Sequence, residues 1–353
     1  MKPRITRHPL RFFCLTVALC FASSAVDADE PAAVRGAPAD AWFGAWDLVL
    51  PTGEAGWLSV QSVDGRPRVE LLWGVGSAKP VAEAAFEGRE LRFPWRYRHM
   101  NAAHEMVSAE RELRLHVEGD RLEGVALDVA ASAAERGAAE DSAKQTITGR
   151  RQPPMPPAPD LDGVVWGEPI TLFNGRDLTG WRVTNTAKRD GWRVADGAIE
   201  NVTPKTDFAA YGEFANLRSD AEFGDHRLHI EFRVAAGGNS GIYLQGRYEA
   251  QVVDRDSRMQ GINGPGAIFG RIAPARNAGR AGGEWQTYDL TLVDRHVTVV
   301  LNGEKVIDNA PLAGCTGGAL TSDVTAPGPV FLQGDHTAVS YRDIVVTPRA
   351  RTP

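Results

Sequence analysis

The chain has 353 residues with 37 glycines, 22 prolines and a formal charge of −6. That length allows two domains with a well-buried core, and so much glycine and proline without a sustained helical period favours an all-β protein with many turns. The negative charge argues against nucleic acid as a partner, because phosphate neutralisation needs clustered lysine and arginine.

The N-terminus has the form of an export signal. Lys2, Arg4, Arg7 and Arg11 precede an apolar run over residues 12–22, and small residues then permit cleavage after Ala28 or Ala25. The run is too short to span a bilayer as a mature helix. Residues 1–28 are therefore expected to be a signal peptide, making the protein secreted or periplasmic with no membrane span. Losing four basic residues and one acidic residue takes the formal charge from −6 to about −9. Cys14 and Cys20 fall within this segment, and Leu19 is a poor small-residue match ahead of Cys20, which disfavours a lipid anchor there. Cys315 is then the sole thiol, so no intramolecular disulfide forms. No histidine lies near it in sequence, and a buried or loop cysteine is expected rather than a nucleophile.

Residues 37–150 repeat a hairpin grammar. Segments 57–63 and 68–73 flank Asp64-Gly65, 82–86 and 90–93 flank Glu87-Gly88, and 112–117 and 121–129 flank Gly119-Asp120. Glycine in such pairs supplies the positive φ that tight hairpins need. About eight short antiparallel strands predict a small closed β-barrel. The Gly44-Ala45-Trp46 at its first strand resembles the opening of lipocalin-like barrels. Residues 130–143, rich in alanine and glutamate, read as a helical insertion or a loose loop. Residues 151–160 form a proline-rich linker.

Residues 161–350 form a second domain of short strands with no helical crossovers, which predicts two packed antiparallel sheets. In the segment 226–234, Leu228, Ile230, Phe232 and Val234 alternate with His229, Glu231 and Arg233. His226 and His229 stand three apart on a strand and so point to opposite faces, which speaks against chelation. The segment 240–254 alternates apolar Ile242, Leu244, Ala250 and Val252 with Tyr243, Gln245, Arg247, Glu249 and Gln251. Its polar face suits a carbohydrate, whose hydroxyls need paired donors and acceptors. An ordinary solvent face of an antiparallel sheet is the competing reading.

Eight motifs stand in order across this domain: Leu172-Phe173-Asn174-Gly175-Arg176-Asp177-Leu178-Thr179-Gly180-Trp181; Trp192-Arg193-Val194-Ala195-Asp196-Gly197-Ala198-Ile199; Phe223-Gly224-Asp225-His226 leading into Glu231-Phe232-Arg233; Gly238-Asn239-Ser240-Gly241-Ile242-Tyr243; Gly246-Arg247-Tyr248-Glu249-Ala250-Gln251-Val252-Val253-Asp254; Gly283-Glu284-Trp285-Gln286-Thr287-Tyr288; Leu301-Asn302-Gly303; and Gly328-Pro329-Val330-Phe331-Leu332-Gln333-Gly334-Asp335-His336. With them the domain resembles the 3-keto-disaccharide hydrolase family. The resemblance implies a concanavalin A-like jelly-roll sandwich that cleaves sugars already oxidised at C3, with a separate sugar 3-dehydrogenase supplying the keto sugar. A C3 ketone acidifies the C2 proton, so the reaction needs a base, a proton donor for the leaving oxygen and donors toward the enolate.

Glu249 is the general-base candidate, on the polar face of a central strand. His336, preceded by Asp335, is the acid/base candidate among the histidines. Asp254 ends the same strand as Glu249, where it reaches a cleft rim or caps the next turn. A divalent metal ion held by Glu249, Asp254 and His336 is an alternative without a spacing signature. Tyr243, Gln245, Arg247, Gln251 and Arg271 are the substrate-contact candidates. Trp285 is expected in the core, and Asn239 in a turn. The glycine-rich residues 261–283 have the length of a site-lining loop but lack the phosphate-loop pattern; Arg271, Arg276 and Arg280 on it either hold a ligand or solvate the loop. A non-catalytic, lectin-like carbohydrate-binding protein is the runner-up. A partner-binding barrel beside an inert sandwich is third.

Overall fold

The computed structural model describes residues 39–100, 106–129, 145–204 and 213–350. The expected signal peptide with Cys14 and Cys20, and the insertion at 130–143, lie outside the described residues. The first sheet comprises β1 (Gly44–Val49), β2 (Ala55–Val63), β3 (Arg66–Trp73), β4 (Lys79–Val81), β5 (Ala85–Glu87), β6 (Glu90–Met100), β7 (Met106–Glu118), β8 (Arg121–Asp128) and β9 (Gln145–Arg151). They pair antiparallel in the order β4-β3-β2-β1-β9-β8-β7-β6-β5. Positive φ at Asp64, Gly65, Gly88 and Gly119 turns the hairpins where the sequence placed them. The sheet rolls until β3 touches β5 and β4 touches β6, although no ladder joins its two edge strands among the described residues. Trp46, Leu58, Leu71, Phe93, Leu113 and Ile147 fill the roll.

The second domain is a two-sheet sandwich. Its strands are β10 (Ile170–Thr171), β11 (Trp181–Val183), β12 (Trp192–Ala195), β13 (Ala198–Asn201), β14 (Leu217–Phe223), β15 (His226–Val234), β16 (Asn239–Leu244), β17 (Tyr248–Val253), β18 (Gln286–Val293), β19 (His296–Leu301), β20 (Glu304–Pro311), β21 (Gly328–Leu332) and β22 (Val339–Pro348). One sheet runs β12-β13-β22-β15-β18-β19-β20 with β10 added to β22; the other runs β11-β14-β21-β16-β17. Leu228, Ile230, Phe232 and Val234 of β15 share the core with Ile242 and Leu244 of β16 and with Ala250 and Val252 of β17. The expected period-2 alternation thus places the five-stranded sheet's other face, with Glu249 and Gln251, away from the core. His226 is buried while His229 turns outward to pair with Asp289 at 2.7 Å.

The described residues from 39 to 350 belong to one compact unit, and a seam joins the two domains. Trp57 of β2 is 4% exposed and donates its indole N–H to Ala313 O at 2.8 Å. Cys315 packs with Ala55, Trp57 and Leu72, and burial pushes its thiol up to about 12, consistent with a structural cysteine. Gly314 is required here, since a Cβ would fall 2.2 Å from the Trp57 ring. Beside this patch, buried Asp47 accepts from Gln152 Nε2 at 2.6 Å and from the Val324 amide at 3.2 Å. The linker itself is pinned: Arg151 belongs to β9, Arg295 donates to Pro153 O at 2.8 Å, and Asn309 donates to Pro159 O at 2.9 Å.

Deleting the Trp57 ring should cost about 3–5 kcal/mol, the usual range for truncating a buried aromatic. Trp57→Ala is therefore expected to lower the urea midpoint and to speed thiol labelling at Cys315, read by mass spectrometry. Unchanged stability with an unreactive Cys315 would mean that the seam does not depend on this ring.

Candidate active site

The hairpin β16–β17 carries the site. Tyr243 stands directly opposite Glu249, and Gly241 opposite Gln251, on the face turned from the core. A Cβ at residue 241 would lie 2.3 Å from Glu249 Oε1, so glycine there makes the space the carboxyl occupies. Segment 316–318 covers this face: Thr316 Oγ1 accepts from the Glu249 amide at 3.0 Å, and Gly317 O accepts from Tyr243 Oη at 2.9 Å. The same segment rests on the first domain, where the Gly318 amide donates to Gly74 O at 2.8 Å.

A cavity of about 330 Å³ opens on this face. Glu249, Gln251, Gln333, Asp335 and His336 line it with Asn216, Asn239, Met259 and Phe269; Val75 and Gly76 of the first domain complete the wall. Glu249 is 3% exposed, and burial raises its carboxyl to about 8 despite the hydrogen bond from Tyr243. It therefore keeps its proton at neutral pH. Tyr243 has one hydroxyl proton and two oxygens in reach, Gly317 O at 2.9 Å and Glu249 Oε2 at 3.0 Å. His336 Nδ1 lies 2.5 Å from Asp335 Oδ1. Burial lowers His336 to about 4, which keeps its ring neutral at neutral pH, and burial raises Asp335.

Three side-chain oxygens at this cavity, Asn239 Oδ1, Gln251 Oε1 and Gln333 Oε1, are buried without a hydrogen-bond partner among the described residues. A buried polar atom left unpaired is costly. A ligand rich in hydroxyl groups satisfies all three, which is the binding chemistry of a sugar.

Of the expected site residues, Glu249, Gln251 and His336 come together, and Tyr243 joins them as the fully buried partner of Glu249. The others do not. Gln245 and Gly246 take φ of 54° and 60°, which ends the strand alternation. Gln245 and Arg247 therefore sit in the loop beyond β16, where Arg247 donates to Gln245 Oε1 at 2.8 Å and to Ala326 O at 3.0 Å. Asp254 caps turns, accepting from the Gly237 and Asp256 amides at 2.7 and 3.0 Å. Arg271 lies 4.1 Å above the Trp57 ring and donates to Cys315 O, acting in the domain seam. Of the other loop arginines, Arg276 pairs with Glu304 at 2.7 Å and Arg280 donates to Trp285 O at 2.8 Å. Trp285 is half-buried beside the guanidinium groups of Arg233 and Arg342 rather than in the core. With Asp254 turned to its caps, the Glu249–Asp254–His336 metal set is not assembled. No group of three His, Cys, Asp or Glu among the described residues is arranged to hold a metal ion.

Asn239, Gln333, Asn216, Met259 and the first-domain residues Val75 and Gly76 escaped sequence reasoning as site members. The adjacency of Asp335 to His336 was a legible signal for their pairing. Nothing in the sequence brings residue 75 to residue 249.

The carboxyl of Glu249 makes stability depend on pH. Its folded value of about 8 lies above the ordinary 4.5, so the folded state keeps a proton that the unfolded chain releases. That contribution is full below about pH 4.5 and is lost as pH rises toward 8, by a few kcal/mol at about 1.4 kcal/mol per unit. Urea unfolding at pH 5.5 and 8.5 should therefore show Glu249→Gln gaining stability relative to wild type at the higher pH. A difference between the two proteins that stays constant with pH would place the Glu249 carboxyl near its ordinary range.

Residues 168–347 match the 3-keto-α-glucoside-1,2-lyase-like domain family. A 3-keto-disaccharide hydrolase of Bacteroides thetaiotaomicron is 32% identical over 85 residues, a match covering 24% of this chain and only 28% of that relative's length. Among solved structures, a candidate glycosyl hydrolase from Parabacteroides distasonis shows 20% identity and a TM-score of 0.40, over 52% of this chain and 94% of that one. A prokaryotic β-1,3-1,4-glucanase from a mouse hindgut metagenome shows 11% identity and a TM-score of 0.32, over 52% and 99%. The family match extends over just more than half of the chain and takes in every cavity residue except Val75 and Gly76; the chain belongs to the 3-keto-α-glucoside-1,2-lyase-like family of carbohydrate-acting enzymes.

Proposed function

We propose that the protein is an exported enzyme that hydrolyses 3-keto-glycosides by removing the C2 proton, eliminating the C1 substituent and adding water back. The observation that carries this reading is the placing of a proton-holding Glu249 and a buried Asp335–His336 pair around one cavity. Two titratable groups whose environments push them in opposite directions form an acid and a base that coexist at neutral pH. Family membership supports the sugar chemistry, and the basic and apolar segments of residues 1–28 support export. A separate sugar 3-dehydrogenase supplies the oxidised substrate.

The roles follow from protonation. Neutral His336 takes the C2 proton, and Asp335 stabilises the imidazolium that forms. Electrons from the C2–H bond form the C1=C2 double bond conjugated with the C3 ketone. The C1–O bond breaks, and Glu249 gives its proton to the leaving oxygen. Water then adds its oxygen to C1 and returns a proton to the Glu249 carboxylate, while His336 gives its proton back to C2. Both groups are restored, and the net change is hydrolysis. The sequence expectation of Glu249 as the base is thereby replaced by Glu249 as the acid, because its burial keeps it protonated. Asn239, Gln251 and Gln333 hold the ring hydroxyls.

Glu249→Gln should lower kcat on a 3-keto-glucoside by ~10²-fold or more, the scale of a lost acid or base. In the wild type, kcat/KM should fall as pH rises through about 8, because the acid form is then depleted. A profile that rises there would return Glu249 to the role of base.

Turnover in heavy water should place deuterium at C2 of the product, beyond the exchange of released keto sugar in an enzyme-free control. Direct displacement at C1 leaves the C2–H bond intact. Absence of enzyme-dependent label, together with an unchanged rate for a C2-deuterated substrate, would sink the enolate route.

A further inference from the structure

A second cavity, of about 750 Å³, lies in the first domain. Along β6, Trp95 and Tyr97 continue the inward row begun by Leu91 and Phe93. Trp73 at the end of β3 joins them in the lining. The Arg111 guanidinium stands 4.7 Å from the Tyr97 ring centre and 5.5 Å from that of Trp73, and it pairs with Asp128 at 2.7 Å. Lys79, Ser77 and Ser108 add polar groups. Trp95 Nε1 is buried with no hydrogen-bond partner among the described residues.

Val75 lines this cavity and the catalytic one as well, and it is 68% exposed. Val75 thus stands on the wall shared by the two cavities. The loop is held in position: Gly318 N donates to Gly74 O at 2.8 Å, and Gly317 packs so closely on Gly76 that a Cβ would lie 2.2 Å from its carbonyl oxygen.

We propose that the first-domain cavity is a second carbohydrate subsite, joined to the catalytic cavity across Val75, which holds the sugar ring on the leaving-group side of the substrate. The proposal rests on the hydrolase reading above for which ring is cleaved. A sugar ring fits the chemistry of the lining. Its C–H face packs on flat aromatic surface, its hydroxyl oxygens accept from the buried Trp95 N–H, and its hydroxyls answer Ser77, Lys79, Ser108 and Glu110 in the lining. A wholly apolar ligand would leave the Trp95 donor unpaired, at a cost. The catalytic cavity holds about 330 Å³, at the low end of small-molecule sites of roughly 300–1,000 Å³. The oxidised ring fills it, and the remainder of an oligosaccharide must lie elsewhere. The first domain, outside the family match, then sets the substrate's length preference.

The test compares two substrates and one binding probe on the full chain. For Val75→Trp, kcat/KM should fall at least tenfold more for a 3-keto-glucotriose than for methyl 3-keto-glucoside. Trp73→Phe, a milder change that spares the fold, should act in the same direction. Independently, unoxidised maltotriose should change the tryptophan fluorescence of the wild type saturably, with weaker binding in both variants. Equal losses on the two substrates, or maltotriose binding that is absent or identical in all three proteins, would overturn the subsite. If the wild type turns over neither keto substrate, the hydrolase reading fails, and the maltotriose titration alone decides whether the cavity binds carbohydrate.

Discussion

The exclusion of water from one carboxyl group organises this protein. Glu249 holds a proton near neutral pH chiefly because burial desolvates its charge, with Asp335 nearby adding to the effect. Three separate stretches of chain are needed for that. Strand β16 supplies Tyr243 and the gap at Gly241, segment 316–318 lies across the top, and the loop before His336 brings a second acidic group close by. None of the three brings a cation that would pull the proton off the carboxyl. An arginine beside it would have produced an ordinary ionised carboxylate. Arg247, the nearest arginine in sequence, is turned away into the hairpin loop.

Segment 313–320 links this burial to the first domain. Ala313 and Cys315 receive Trp57 and Arg271, while two and three residues later Gly317 and Gly318 touch Tyr243 and the loop at Gly74. The segment has little freedom to shift on one side without shifting on the other. At the seam's centre Cys315 is enclosed among Ala55, Trp57 and Leu72, with the Arg271 guanidinium stacked on Trp57. A tandem arrangement with no shared surface would leave the cover over Glu249 held by the sandwich alone.

The polar groups around the cavity are also mutually consistent. The oxygens of Asn239, Gln251 and Gln333 have no protein partner among the described residues, which leaves them open to the hydroxyl groups of a ligand. This favours a ligand of many hydroxyls over an apolar one. Structural elements carry the remaining strong polar groups: Asp254 in turn caps, Arg271 in the seam, and Asp47 beneath the linker. Residue type alone does not separate these uses, since a capping aspartate and a catalytic one look alike until their partners are seen.

How much was legible follows from the range of the forces involved. Alternation along 226–234 and 240–244, the glycine turns, and the ordered motifs of the second domain are local, and they determined the all-β class, the core face of each strand and the family. They also singled out Glu249, Gln251 and His336. The error over Gln245 and Arg247 arose where a positive φ at Gln245 broke the period, a backbone event that a non-glycine residue does not announce. The tertiary structure alone decided that Tyr243 faces Glu249, that Asp254 and Arg271 are structural, and that Val75 reaches the cavity. Those contacts join residues far apart in the chain, and burial, which sets the protonation of Glu249 and His336, is a property of everything packed around a group rather than of its neighbours in sequence.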